Sequence, residues 1–377
     1  MTFEYIDSPE GLARFEAALD DAPSIALDLE AAGFHRYSDR VCLVQVTFPD
    51  AGNWILDPLA LDLGPVLRPA LEDPMLPILM HGADFDLRLL RRDLGISLRG
   101  LVDTQIVATL LGEPGIGLAA LLEKYAGIKL AKKYQRADWA RRPLDPEMLE
   151  YAANDTASLH ALTRTLVVKL EQSGRGAWAS EEFRTLEAIA PPEEGEVDPA
   201  TRVRGARDLS PRELERLRTG WEWRDEIARR DDRAPFRVTT DQVLLDLAVQ
   251  PPRSIEDLAE RKGMNPRLAR GEGERLLAAL ARADAIEESE LRGFPKPASR
   301  GRGRPTPEIE DLTNRLKEVR NRHAESLGLD RGALLPNAVL TEIAFEKPEE
   351  LADLDRIDGI KQWQIEVVGR DLLTVVN

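Results

Sequence analysis

Two periodicities divide the chain. Early on, apolar positions alternate with polar ones or run in short bursts: Ser24–Leu29 (SIALDL), Val41–Phe48 (VCLVQVTF), Trp54–Asp57 and Ile78–His81 read as β-strands. Gly82-Ala83 turns the last of these into a helical pattern over Asp84–Leu94. From Asp103 the apolar spacing is that of helices, predicted over 103–111, 117–125, 146–172 and 178–188. Strands first, then strands alternating with helices, predict an α/β layer structure.

The pattern is interrupted twice by Pro-rich polar stretches, PPEEGEVDP at 191–199 and LRGFPKPASRGRGRPTP at 291–307. Three units follow: an α/β domain over 1–190, a linker over 191–207, a helical domain over 208–290, a basic Pro/Gly-rich linker over 291–306, and a second helical domain over 307–377. The two helical units read as copies. Nine identities between Val243 and Leu277 recur without gaps from Val339 to Leu373, among them Pro252 as Pro348 and Gly263 as Gly359. Two copies make a pair of small all-α bundles and fall short of a solenoid.

A length of 377 residues suits several domains, and no apolar run approaches the roughly 20 residues that span a bilayer. The start, Met1-Thr2-Phe3-Glu4, has no basic and apolar leader, so no signal peptide is expected. One cysteine, Cys42, excludes a disulfide scaffold or a cysteine-built metal site and suits a reducing, cytoplasmic setting. The formal net charge of -16 speaks at first against nucleic acid. By segment, however, residues 1–200 hold 33 acidic and 19 basic side chains, whereas 201–300 hold 19 and 21. The acid excess belongs to the α/β half.

That half contains an acidic constellation. Asp28 and Glu30 stand two apart on a strand, so both leave the same face, and their repulsion would force protonation or call for a cation. Hard divalent cations such as Mg²⁺ take carboxylate oxygens in this way. Asp86 sits in the first turn of the helix after strand 78–81, where an acid also complements the helix N-terminus, and Asp84 is the expected N-cap. Tyr151 and Asp155, four apart in a helical pattern, share a face among small alanines. Taken singly, each acid could be an ordinary solvated residue. Of the four histidines, none forms a ligand pair, and His81 reads as a satisfied structural residue.

As a set, Asp28, Glu30, Asp86, Asp155 and Tyr151 resemble the tyrosine branch of the DEDD superfamily of 3′→5′ exonucleases. The frames LDLEAAGF, MHGADFDLRLL and YAANDTASL match its three motifs, and VDTQIVATLLG and KKYQRADWARRPL resemble connecting segments of ribonuclease D. The duplicated units resemble HRDC modules, and the whole layout is similar to the ribonuclease D family. The resemblance implies an RNase H-like mixed-sheet domain with two divalent metal ions, Mg²⁺ or Mn²⁺. Asp28, Glu30 and Asp155 would hold the first, Asp28 would bridge to the second with support from Asp86, and Tyr151 would orient the attacking water. It also implies an exoribonuclease that releases single nucleotides, acting on RNA, with tRNA precursors as the expected substrate class. Two metal ions about 4 Å apart can stabilise both attacking and leaving oxygens at phosphorus.

Candidate RNA contacts are Lys132, Lys133, Arg136 and Arg142 with Tyr134 and Trp139 interleaved, and Arg300, Arg302 and Arg304 in the acid-free linker. The charges could equally be a solvated face, and Trp139 could be core. A DNA 3′→5′ exonuclease and a silent RNA-binding protein stand as alternatives, since no motif reads a 2′-hydroxyl. A helicase is disfavoured because no phosphate-loop motif is present. No protein partner is evident, and a monomer is expected.

Overall fold

The computed structural model describes residues 2–131, 133–189, 198–295 and 305–377. Six strands, β1 (Phe3–Ile6), β2 (Ile25–Ala31), β3 (Val41–Phe48), β4 (Gly52–Leu56), β5 (Ile78–Met80) and β6 (Leu101–Asp103), form one mixed sheet in the order β1-β4-β3-β2-β5-β6. β2, β3 and β4 run antiparallel as a meander, while β1 joins β4, and β5 and β6 extend from β2, in parallel. The α/β layer architecture expected from the sequence is present. β1 and β6 were not legible in the pattern: each is three or four residues long and depends on a parallel partner distant in the chain.

Helices α1 (Pro9–Asp20), α2 (Gly64–Leu71), α3 (Asp84–Leu89), α4 (Thr104–Leu110), α5 (Leu118–Ala126), α6 (Pro146–Ala157), α7 (Leu159–Gln172) and α8 (Gly176–Glu187) cover the sheet. Alternation along β2 assigns its faces. Ile25, Leu27 and Leu29 join the core with Phe15 and Leu19 of α1 and Leu87 of α3. Ala26, Asp28 and Glu30 therefore point to the other face, and α6 packs against β2, β3 and β4. All eight residues of β3 are buried, Gln45 and Thr47 included, because the strand lies inside the sheet.

The helix expected over 146–172 is two helices that part at Ser158, whose φ of -104° and ψ of 3° leave helical geometry. Both flanks of the break are tied to Thr47 of β3. Thr156 Oγ1 lies 2.7 Å from Thr47 Oγ1, and His160 Nε2 donates to the Thr47 carbonyl at 2.9 Å. These bonds set the height of α6, and hence of Tyr151 and Asp155, over the sheet.

The two helical units match element for element: α9 (Pro211–Arg230), α10 (Pro235–Val238), α11 (Asp241–Val249), α12 (Ile255–Glu260) and α13 (Pro266–Asp284), then α14 (Pro307–Leu327), α15 (Arg331–Leu334), α16 (Asn337–Glu346), α17 (Leu351–Leu354) and α18 (Gln362–Val376). Every helix of the second unit starts at the same offset from its counterpart as Pro348 from Pro252. Each unit also buries an equivalent arginine. Arg224 donates to the Thr239 carbonyl and pairs with Asp241 at 2.6 Å, and Arg320 donates to the Leu335 carbonyl and to Asn337. Trp223, beside Arg224, is also buried. Residues 198–207, expected in a linker, instead pack on the first unit through Ala200, Val203 and Ala206, and Asp198 pairs with Arg218 at 2.5 Å.

The second unit shares one apolar core with α4, α5, α7 and α8. Trp178 and Trp363 stack at 4.7 Å, Lys361 pairs with Glu182 at 2.5 Å, and Arg175 donates to the carbonyls of Leu110 and Leu327. The first unit meets the loop that follows β2. Among the described residues no helix is long and apolar enough to cross a membrane.

Candidate active site

Three elements carry the acids to one place. β2 presents Asp28 and Glu30 on the face beneath α6, which carries Tyr151 and Asp155 one helical turn apart. Asp86 comes from α3, through a turn that the sequence reading assigned wrongly. Asp84 does not cap this helix; Ala83 holds the cap position with no side-chain bond, and Asp84 pairs with Arg88 at 3.0 Å. The carboxylate that fixes the turn is Asp103, at the end of β6 and 1% exposed. Its Oδ1 accepts from the backbone N–H groups of Gly82 (3.0 Å), Gln105 (2.7 Å) and Ile106 (3.3 Å), and its Oδ2 accepts from Ala83 (2.8 Å). One buried acid thus anchors the starts of both α3 and α4. Gly82 has a φ of +70°, a conformation that favours glycine, and completes the turn.

The electrostatics show that the acids share a neighbourhood. Burial, then the charges of Asp86 and Asp155, raise the Asp28 carboxyl well above its ordinary range. Glu30 is likewise raised well above by burial, then by Asp28, Asp155 and Asp86. Burial pushes Asp86 up to about 7, with a contribution from Asp103, and Asp155 up to about 7. Tyr151 is raised by burial and then by Asp155, Glu30 and Asp28, so its hydroxyl stays protonated near neutrality. No Lys or Arg pairs with any of the four acids among the described residues. Nor, among those residues, do three or more His, Cys, Asp or Glu side chains stand arranged to hold a metal ion as placed. Like charges held near one another without a counter-ion cost stability, and a cation removes that cost. The donor set is all hard oxygen, half-buried and without a cationic partner among the described residues, which fits a divalent cation of the Mg²⁺ or Mn²⁺ type.

A carboxyl whose folded pKa lies above its unfolded value favours folding at low pH, and its contribution declines as pH rises through both values. For Asp155 that window runs from the ordinary 3.8 to about 7. In chelator, wild type should lose stability relative to Asp155→Asn between pH 5.5 and 8. Paired thermal melts across that range check it; a constant difference would show that Asp155 is not buried and uncompensated.

A cavity of about 520 Å³ opens onto this cluster, lined by Asp28, His81, Gln105, Gln135, Tyr151 and Asp155 among others. His81 is only half satisfied. Thr104 Oγ1 donates to the Met80 carbonyl and so accepts from His81 Nδ1–H at 2.8 Å, while Nε2 is buried with no partner. Burial also lowers its pKa, so the ring is neutral. Asp103, Gln105 and Gln135 were not singled out from the sequence; their signal lies in the fold, which brings His81, Gln105 and Gln135 to one cavity wall and sets Asp103 beneath the turn at 82–83.

The expected RNA contacts divide. Trp139 is 1% exposed, packed with Ile55, Met148, Ala152 and Ala153, and offers no ring face to a base. Arg142 is committed to structure: its Nε and Nη2 bond Asp57 at 2.6 and 2.8 Å, and Nη2 also reaches the Cys42 carbonyl. Burial of Asp57 is outweighed by these bonds and one from Tyr5, and its carboxyl falls below the usual range. Lys133 and Tyr134 both bond Glu147, at 2.5 and 2.7 Å, and the Tyr134 ring stands edge-on to Tyr151 at 5.8 Å. Tyr134 therefore braces the tyrosine of the site. Arg136 is exposed beside Phe34. Lys132, Arg300, Arg302 and Arg304 lie outside the described residues.

The 3′-5′ exonuclease family matches residues 3–171, and the HRDC domain family matches 213–280 and 309–376. Ribonuclease D of Granulibacter bethesdensis is 30% identical over 379 residues, covering 99% of this chain and 92% of that protein. The crystal structure of Escherichia coli RNase D, described as an exoribonuclease involved in structured RNA processing, matches with a TM-score of 0.73 at 26% identity. It covers 100% of this chain and 99% of that one. A protein from Bifidobacterium adolescentis shares the fold, with a TM-score of 0.85 at 24% identity, over 99% of this chain and 96% of that one.

Proposed function

Since the chain belongs to the ribonuclease D family and is a 3′→5′ exoribonuclease dependent on divalent metal, we propose that Asp28, Glu30, Asp86 and Asp155 are its metal-holding carboxylates and Tyr151 its water-orienting residue. The observation that carries this is four half-buried carboxylates that raise one another's pKa, without cationic partners among the described residues, two of which, Asp28 and Asp155, line one cavity with Tyr151. Two cations, Mg²⁺ or Mn²⁺, are the number and kind this set suits. When bound they supply compensating charge for the phosphodiester and a more acidic water than bulk solvent.

The chain's own groups do the rest. Asp28 and Glu30 are fixed by sheet pairing, Asp28 opposite Gln45 and Glu30 opposite Leu43, so their carboxylates cannot retreat to solvent. Tyr151 keeps its proton and can donate or accept a hydrogen bond at the attacking water, held in place by Tyr134 and Trp139 against its ring. Apolar Leu118, Leu130 and Leu159 line the remainder and limit bulk water. The substrate is RNA, and we assign structured RNA precursors, tRNA precursors first among them, as its class; the Escherichia coli relative's role in structured RNA processing supports this.

Digestion of 3′-labelled single-stranded RNA and DNA with Mg²⁺ tests the reading. Labelled mononucleotides should appear from RNA, and faster than from DNA; internal fragments would contradict an exonuclease. Tyr151→Phe should lower kcat by about a hundredfold, the low end of the range for a positioned proton-bonding group, while RNA affinity measured by anisotropy is kept. A selective loss of affinity would move Tyr151 out of the chemistry.

A further inference from the structure

The loop that follows Glu30 does not end at the site; it interlocks with the first helical unit. Ala234 N donates to the His35 carbonyl at 3.1 Å, Arg36 pairs with Asp138 (2.8 Å) and Asp232 (3.3 Å), and Tyr37 donates to Asp225 at 3.0 Å. At the outer edge of this junction Phe34 lies between two guanidinium groups, Arg136 at 5.4 Å and Arg237 at 4.9 Å from its ring centroid. Phe236, 47% exposed, stands 5.3 Å from Phe34. Arg233 donates to the Arg237 carbonyl at 2.8 Å and extends the group. None of Arg136, Arg233 and Arg237 forms a close ion pair among the described residues, though Arg233 is near enough to Asp231 to help lower its carboxyl, in a chain whose net charge is -16.

This patch adjoins the catalytic cavity along the chain. Gln135 lines the cavity and Arg136, the next residue, lies on Phe34; Phe34 itself is four residues beyond Glu30. A strand whose 3′ end occupies the cavity would meet the patch with its upstream nucleotides. Uncompensated guanidinium groups take phosphates, and an exposed ring takes the face of an unpaired base. We propose that Arg136, Phe34, Phe236, Arg237 and Arg233 form a two-domain contact for the single-stranded segment of RNA just upstream of the scissile nucleotide. The first helical unit then supplies part of the substrate path, and Phe236 is its stacking face. The proposal rests on the site assigned above.

The test uses the full chain and two RNAs, a trinucleotide and a single strand of about twelve nucleotides, long enough to leave the cavity. Phe236→Ala should raise KM on the long RNA by about five- to tenfold, the loss of one base stack, and raise it far less on the trinucleotide. Phe236→Trp should restore the long-RNA value, which a merely structural defect would not allow. Arg136→Ala should reduce the salt dependence of long-RNA binding by about 0.7 in log–log slope, one phosphate of single strand. Equal effects at both lengths, no effect of Phe236→Ala, or an unchanged slope would overturn the proposal and leave the patch as interdomain packing or a surface for an acidic protein. Failure of the underlying site would look different: the trinucleotide would survive wild type, or be degraded by Asp28→Ala.

Discussion

Asp28→Ala and Asp155→Ala should each cut the single-turnover rate on single-stranded RNA by a factor on the order of 10³ to 10⁴, because each removes charge stabilisation worth several kcal/mol at phosphorus. Affinity for RNA in chelator should hold or improve, since a buried negative charge that faces phosphate has gone. The same changes should raise the melting temperature of the metal-free protein at pH 8. Each deletes a group already destabilised as an anion, Asp28 by burial and the neighbouring acids and Asp155 by burial. Loss of catalysis with a gain in apo stability separates a ligand from a structural acid, for which both would fall. Single-turnover digestion, anisotropy and thermal melts decide it, and activity surviving either substitution would remove that residue from the site.

Some of this was legible in the chain and some was not, for physical reasons. Asp28 and Glu30 could be paired because the two-residue period of a strand is local, and Tyr151 with Asp155 because the helical turn is local. Asp86 could not be joined to them by spacing alone, since an acid in a first helical turn has its own explanation; resemblance named it, and sheet order brings α3 beside β2 through β5. The error at Asp84 is of the same origin. A local cap was expected, and the true anchor, Asp103, arrives from a strand of three residues that no period announces. Trp139 and Arg142 looked like nucleic-acid contacts because aromatic and basic residues alternate around them, yet periodicity cannot report that a loop folds inward onto Asp57 and Ile55. The helical units were legible because their contacts are mostly internal, so that duplication copied Arg224 with Asp241 as Arg320 with Asn337.

The net charge of -16 takes a different meaning from these positions. Surface acids pair widely with arginines, as Arg92 does with Asp39 and Arg275 with Glu272. The four acids of the site do not. Among the described residues, half-buried acid without a cationic partner is concentrated at the place proposed to bind cations, and Arg136 and Arg237, without close ion pairs, stand together at Phe34. A polyanion therefore encounters a sign reversal along one path, from Arg237 and Arg136 toward the cavity.

Asp103→Ala should be the most destabilising single substitution outside the apolar core of the α/β domain. Four backbone N–H groups, those of Gly82, Ala83, Gln105 and Ile106, would lose their acceptor at a site 1% exposed. With each buried unsatisfied donor costing about 1–3 kcal/mol and some relaxation toward solvent, a loss of about 3–5 kcal/mol is expected. Asp103→Asn should be milder. Its oxygen can replace Oδ1, which serves Gly82, Gln105 and Ile106, but its amide would face the N–H of Ala83, donor against donor. Because the same bonds set the first turn of α3, the folded fraction of Asp103→Asn should also be slow. Displacing Asp86 by a fraction of a turn shifts a proposed cation ligand, and misplacement near 1 Å costs about a hundredfold in rate. Chemical denaturation gives the stability and digestion per folded molecule gives the rate. A destabilised Asp103→Asn that retains full activity per folded molecule would show that Asp103 holds the fold without positioning Asp86.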